Sequence, residues 1–118
     1  MAFPNSYSIG ITSLGYQIIW ASLATRSDVD VRRLFTDYGD KPHKKCDLFG
    51  LSLSWELDGP VLLDLLEKQH IAIWSHQRDE KDPIVFGGGP VLTANPEPLA
   101  PFLDVILLGD GEELLPTF

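Results

Sequence analysis

The sequence predicts an α/β fold: a mainly parallel sheet of about five strands with helices on both faces. Three observations lead there. Short apolar runs alternate with helix-like segments along the whole chain. The last two runs each stop in glycine, Pro83-Ile84-Val85-Phe86 at Gly87-Gly88-Gly89-Pro90 and Asp104-Val105-Ile106-Leu107-Leu108 at Gly109-Asp110-Gly111-Glu112-Glu113. A chain of 118 residues suits one domain, spanning 1–118, with a single hydrophobic core.

The elements follow in order. Tyr7-Ser8-Ile9-Gly10-Ile11-Thr12 alternates and reads as the first strand; Ser13-Leu14-Gly15 turns into a helix from Tyr16 to Thr25. Val29 to Phe35 reads as a second strand, and Thr36 to Cys46 as a polar loop carrying the basic cluster Lys41-Pro42-His43-Lys44-Lys45. Asp47 to Ser54 is apolar enough for a central strand. Asp58 is a candidate N-cap with Pro60 in the first turn. From Pro60 to His70, Val61, Leu62, Leu65 and Leu66 then recur at helical spacing. Ile71 to Trp74 is a short strand or extended segment, and Asn95-Pro96-Glu97-Pro98 starts a helix between the two glycine-ended strands. This order fits right-handed crossovers in a flavodoxin-like or Rossmann-like three-layer sandwich. Glu112-Glu113-Leu114-Leu115 begins a further helix close to Phe118, as expected of a domain cut from a longer polypeptide.

Composition narrows the function classes. A net charge of −8 argues against nucleic acid, which recruits clustered Lys and Arg. No apolar run is long enough to span a membrane, and Met1-Ala2-Phe3-Pro4-Asn5 lacks the basic start of a signal peptide, so a cytoplasmic location is expected. Cys46 stands alone, which rules out an internal disulfide and the multi-thiolate ligation of an iron–sulfur cluster by this chain.

In an open α/β sheet the ligand crevice lies outside the carboxyl ends of the strands. The expected rim is therefore Thr12, Ser13 and Gly15 from the first strand, and Ser52, Ser54 and Glu56 from the third, with Trp55 beside them. It continues with Gly87, Gly88, Gly89, Thr93 and Asn95, and ends with Gly109 and Gly111 beside Asp110 and Glu112. Small side chains, hydroxyls and free backbone N–H groups suit a large flat or phosphate-bearing ligand. Structural explanations stand beside this one: the glycines can simply turn the chain, the serine hydroxyls can bond to backbone, and Glu56 can favour a helix dipole. No nucleophile elbow, P-loop, zinc-protease motif or dinucleotide fingerprint is present. His43, His70 and His76 lie off the expected rim, so neither catalytic nor metal-ligating residues are assigned.

The series Ile84-Val85-Phe86-Gly87-Gly88-Gly89-Pro90, Thr93-Ala94-Asn95-Pro96-Glu97-Pro98-Leu99, Phe102-Leu103-Asp104 and Gly109-Asp110-Gly111-Glu112-Glu113 resembles the N-terminal B12-binding-like domain of radical SAM proteins of the Fe–S oxidoreductase type. Phe3-Pro4-Asn5-Ser6-Tyr7, Leu14-Gly15-Tyr16-Gln17, Arg33-Leu34-Phe35 and Leu51-Ser52-Leu53-Ser54-Trp55-Glu56-Leu57 resemble one branch of it. The resemblance implies a cobalamin-binding-type module before a radical SAM barrel on the same polypeptide. The 4Fe–4S cluster and S-adenosylmethionine would be held by that barrel. It also implies that the Ser52–Ser54 segment and the Gly87–Gly88 turn line the cofactor's nucleotide tail. Relatives that supply a lower axial ligand carry Asp-x-His-x-x-Gly after the first strand. Thr12-Ser13-Leu14-Gly15-Tyr16-Gln17 has neither Asp nor His, so a cobalamin here would take no histidine from this loop.

The competing expectation is a degenerate domain that binds no cofactor and serves for docking or substrate recognition. A receiver-like signalling domain is disfavoured because no acidic cluster follows the first strand. The isolated piece is not expected to be an enzyme, whereas its parent is. A face left open by a missing barrel would promote weak self-association.

Overall fold

The computed structural model describes residues 1–10, 12–39, 46–53 and 59–109. The elements are α1 (Tyr7–Gly10), α2 (Leu14–Ala24), β1 (Leu48–Ser52), α3 (Gly59–Lys68), β2 (Ile84–Gly88), α4 (Pro90–Ala94) and β3 (Val105–Leu107), with short 3₁₀ turns at Ser75–Gln77 and Ala100–Phe102. The strands form one parallel sheet in the order β1-β2-β3, with Leu48 opposite Ile84 and Phe86 opposite Val105.

Among the described residues three strands form instead of the five expected. Tyr7–Gly10 is a helical turn, not the first strand. Its start is set by Asn5, whose Oδ1 accepts the Ser6 N–H at 2.8 Å, while the Ser6 carbonyl accepts the Gly10 N–H at 2.8 Å. The place beside β1 belongs to the chain's first residues. Ala2 donates its N–H to the Gly50 carbonyl at 2.6 Å and accepts from the Ser52 N–H at 3.0 Å. On its other side the Phe3 N–H donates to the Leu34 carbonyl at 2.9 Å. Of the expected strand from Val29 to Phe35, only Leu34 is paired, in parallel with Ala2 and antiparallel with Gly39. The two missing strands are thus replaced by single bridges, laid side by side in the order Leu34, Ala2, β1, β2, β3. Ile71 to Trp74 joins no strand.

One face of the sheet is closed by helix. Phe49, Leu51, Leu53 and Val85 alternate along β1 and β2 onto this face and meet Leu62, Leu65 and Leu66 of α3, with Leu92 and Leu103 completing the core. All of these side chains are buried, as a sheet–helix layer requires. α3 ends in a left-handed His70 (φ 58°), after which the Ile71 N–H reaches back to the Leu66 carbonyl at 2.9 Å. A second cluster holds α2 to the N-terminal segment: the Tyr16 ring meets Phe3 and Phe35 with centroids 5.4 and 5.3 Å apart, and its hydroxyl donates to the Met1 carbonyl at 2.9 Å.

The helix expected to start at Asn95-Pro96 starts earlier. Pro90 opens α4 directly after the glycine run, and Asn95 closes it, its N–H donating to the Val91 carbonyl. Proline in a first helical turn loses no hydrogen bond, whereas Pro96 would interrupt one. The N-cap Asp58, the basic loop from Lys41 to Lys45 and the helix start from Glu112 to Leu115 lie outside the described residues.

Candidate functional site

Alternation divides the sheet into two unlike faces. Opposite the α3 core, Leu48, Gly50 and Ser52 of β1, Ile84, Phe86 and Gly88 of β2, and Val105 and Leu107 of β3 line a single open cleft of ≈ 1550 Å³. Its far wall is α2, which contributes Gly15, Tyr16, Ile19 and Leu23. The volume exceeds the several hundred Å³ of an ordinary small-molecule pocket. One end opens at the carboxyl ends of the strands, while the other is charged, with Arg26, Asp28, Asp30, Arg32 and Asp47 on its walls.

Among the expected rim residues, Ser13, Gly15, Ser52, Gly88, Gly89, Thr93 and Gly109 line this cleft. Each owes its position to a local cause. Ser13 is the N-cap of α2, its hydroxyl accepting the Tyr16 N–H at 3.4 Å. Gly15 is exposed in the first turn, and a Cβ there would meet nothing within 4 Å. Ser52 and Gly88 are paired at the carboxyl ends of β1 and β2. The Thr93 hydroxyl accepts the Gly109 N–H at 3.1 Å and so ties α4 to the end of β3.

The glycine run is not uniform. Gly87 points into the core, where a Cβ would lie 2.9 Å from Leu92 Cδ1 and 3.1 Å from Leu103 Cδ1. Gly89 has φ +117° and its missing Cβ would strike the Leu53 carbonyl, so it turns the chain into α4. Gly88 alone has a Cβ direction with ordinary room, 3.6 Å from the Leu107 carbonyl and 3.8 Å from its Cβ. Thr12, Gly87 and Asn95 do not line the cleft. The Thr12 hydroxyl donates to the Ile9 carbonyl at 2.6 Å, and Asn95 Oδ1 accepts the Glu97 N–H at 3.3 Å; both close local turns. Ser54, Glu56 and Gly111, with Trp55 and Asp110, lie outside the described residues.

Sequence reasoning missed the apolar floor and its opposite wall. Ile19, Leu23, Phe86, Val105 and Leu107 all face the cleft. The signal was present in the period-two alternation, but alternation does not say which face a helix covers. Among the described residues no group of three or more His, Cys, Asp or Glu side chains is placed to hold a metal ion. Asp28 is held below the usual carboxylate range by hydrogen bonds from Arg26 Nε and Nη2 at 2.9 and 2.8 Å, and Arg26 is raised in turn.

The family model described as "Radical SAM proteins, N-terminal" matches residues 17–118. The chain belongs to that family. No curated protein and no solved structure matches it. Membership in the radical SAM N-terminal family implies a polypeptide that also carries a radical SAM core with a 4Fe–4S cluster and S-adenosylmethionine. The residues here do not fit the cluster: the chain has a single cysteine, Cys46, and it is exposed. Among the described residues of this radical SAM N-terminal domain, no helix is long and apolar enough to cross a membrane.

Proposed function

We propose that this radical SAM N-terminal domain is a flavodoxin-like cofactor module. It would hold a cobalamin-class ligand along the strand-end rim and present it to the radical SAM core of the same polypeptide. The observation that carries the reading is the convergence of Ser13, Gly15, Ser52, Gly88, Gly89, Thr93 and Gly109 on one lip of one large cleft. Side chains of this size leave backbone accessible, and the Ser13, Ser52 and Thr93 hydroxyls add polar partners for a ligand's amide or phosphate groups. The side-by-side order Leu34, Ala2, β1, β2, β3 supports the flavodoxin-like reading: Ala2 lies between Leu34 and β1, parallel to both, so the strand order switches sides there, and ligands of such sheets bind at that switch. No histidine lines the cleft among the described residues, which is compatible only with a ligand that takes no lower axial imidazole from them.

The test is titration of the protein with hydroxocobalamin, followed by visible spectrum and heat. Saturable binding, reduced at least tenfold by Gly88→Trp and retained by Gly88→Ala, supports the module. Absence of binding by the full-length protein overturns it in favour of a docking domain, a reading that the apolar cleft floor independently favours.

A further inference from the structure

The two hydrophobic clusters hold their helices unequally. α3 buries Leu62, Leu65 and Leu66 in one cluster with residues of β1 and β2. Among the described residues of α2, Tyr16 is the only one whose side chain is buried, and its partners are Phe3 and Phe35. No described α2 side chain packs against the sheet–α3 cluster. The seam between the clusters runs through the bridged edge of the sheet. Ala2 and Leu34 pack with the sheet and α3, whereas their chain neighbours Phe3 and Phe35 join Tyr16.

We propose that α2 undocks as a unit while the sheet and α3 stay folded. Among the described residues its anchorage is narrow. The Tyr16 ring meets Phe3 and Phe35 at 5.4 and 5.3 Å, and its hydroxyl donates to the Met1 carbonyl at 2.9 Å. The Arg33 guanidinium over the Trp20 ring, at 4.7 Å, adds a second contact at the same seam. A helix of 11 residues released from these contacts does not hold itself together in water, because too few hydrogen bonds repay its nucleation. Segments with few buried apolar contacts open at lower free energy than the core they rest on. The consequence reaches the rim of the cleft. Ser13 caps α2 and Gly15 lies in its first turn, whereas Ser52 and Gly88 are paired strand residues. Undocking therefore separates Ser13 and Gly15 from the rest of the rim, and docking assembles it. The motion belongs to the unliganded chain and does not rest on the cofactor reading.

Native-state hydrogen exchange of the unsubstituted chain, followed by NMR at rising urea, tests it without a variant that could fail to fold. The α2 amides are expected to exchange together, about a hundredfold faster than the slowest amides of β1, β2 and α3, and with a smaller urea dependence. Protection of α2 equal to that of the sheet would make the molecule one cooperative unit and overturn the proposal. Residue-by-residue exchange without urea dependence would overturn it too, since that is fraying. Tyr16→Phe keeps the ring, removes the hydroxyl donor, and is expected to speed α2 exchange roughly fivefold with β2 unchanged. An equal change in β2, or none in α2, counts against the proposal in the same way. Cobalamin binding is read in a separate titration, so failure of one idea leaves the other standing.

Discussion

The guanidinium of Arg78 lies 3.3 Å from Asp104 Oδ2, deep enough that its side chain is 3% exposed. The same guanidinium donates to the carbonyls of Ala72, Ile73 and Phe102 at 2.8, 2.9 and 2.7 Å. Asp104 in turn accepts the Val85 N–H at 2.8 Å on that same oxygen and donates its own N–H to the Val85 carbonyl at 2.7 Å. One arginine therefore joins the segment after α3, the 3₁₀ turn Ala100–Phe102 and the start of β3. The Nη1 contact with Asp104 is a charge contact rather than an aligned hydrogen bond, since Nη1 has no hydrogen-bond partner.

Removing this clamp leaves three carbonyls without their donor and takes the positive charge away from Asp104, which keeps the Val85 N–H. Arg78→Ala is expected to cost about 2–3 kcal/mol, chiefly from carbonyls left without a donor, since Asp104 stays partly exposed. Arg78→Lys is expected to recover only part of that, because an ammonium cannot span the fork. Urea melts of the two variants check the ranking; equal midpoints for both and the parent would show that the clamp contributes nothing.

Gly89 and Gly88 are neighbours with opposite tolerance. Gly89→Ala places a methyl against the Leu53 carbonyl at φ +117°, and is expected to destabilise by several kcal/mol or to prevent folding. Gly88→Ala meets only ordinary contacts with Leu107 and is expected within about 1 kcal/mol of the parent. Thermal unfolding side by side is the measurement, and a tolerant Gly89 would contradict the turn geometry described here.

Asp28 is the titration to follow. Its folded pKa is depressed by the Arg26 hydrogen bonds, so its contribution to stability is present at neutral pH. That contribution is lost as pH falls through the lowered pKa. Both side chains are exposed, and the stability change is correspondingly small. The expected signature is a carboxyl carbon-13 titration below the usual aspartate range that moves back up in Arg26→Gln. An unchanged midpoint in that variant would remove Arg26 as the cause.

Much of the architecture was legible locally. The α/β class, the cores of β1, β2 and β3, and the helices α2 and α3 follow from apolar runs and from leucines at helical spacing, and both signals depend only on neighbours in sequence. The single cysteine and the negative charge likewise set limits on metal and nucleic-acid chemistry without any coordinates. Tertiary structure decided the rest. Tyr7 to Thr12 alternates as a strand should, yet the position beside β1 is taken by Ala2, and pairing is a competition between distant segments that local pattern does not resolve. Gly87, Gly88 and Gly89 are the same residue three times. Only the register of β2 against β1 and β3 turns the first into the core, opens the second to the cleft and bends the third under Leu53, because side-chain direction has a period of two and its phase is set by the sheet.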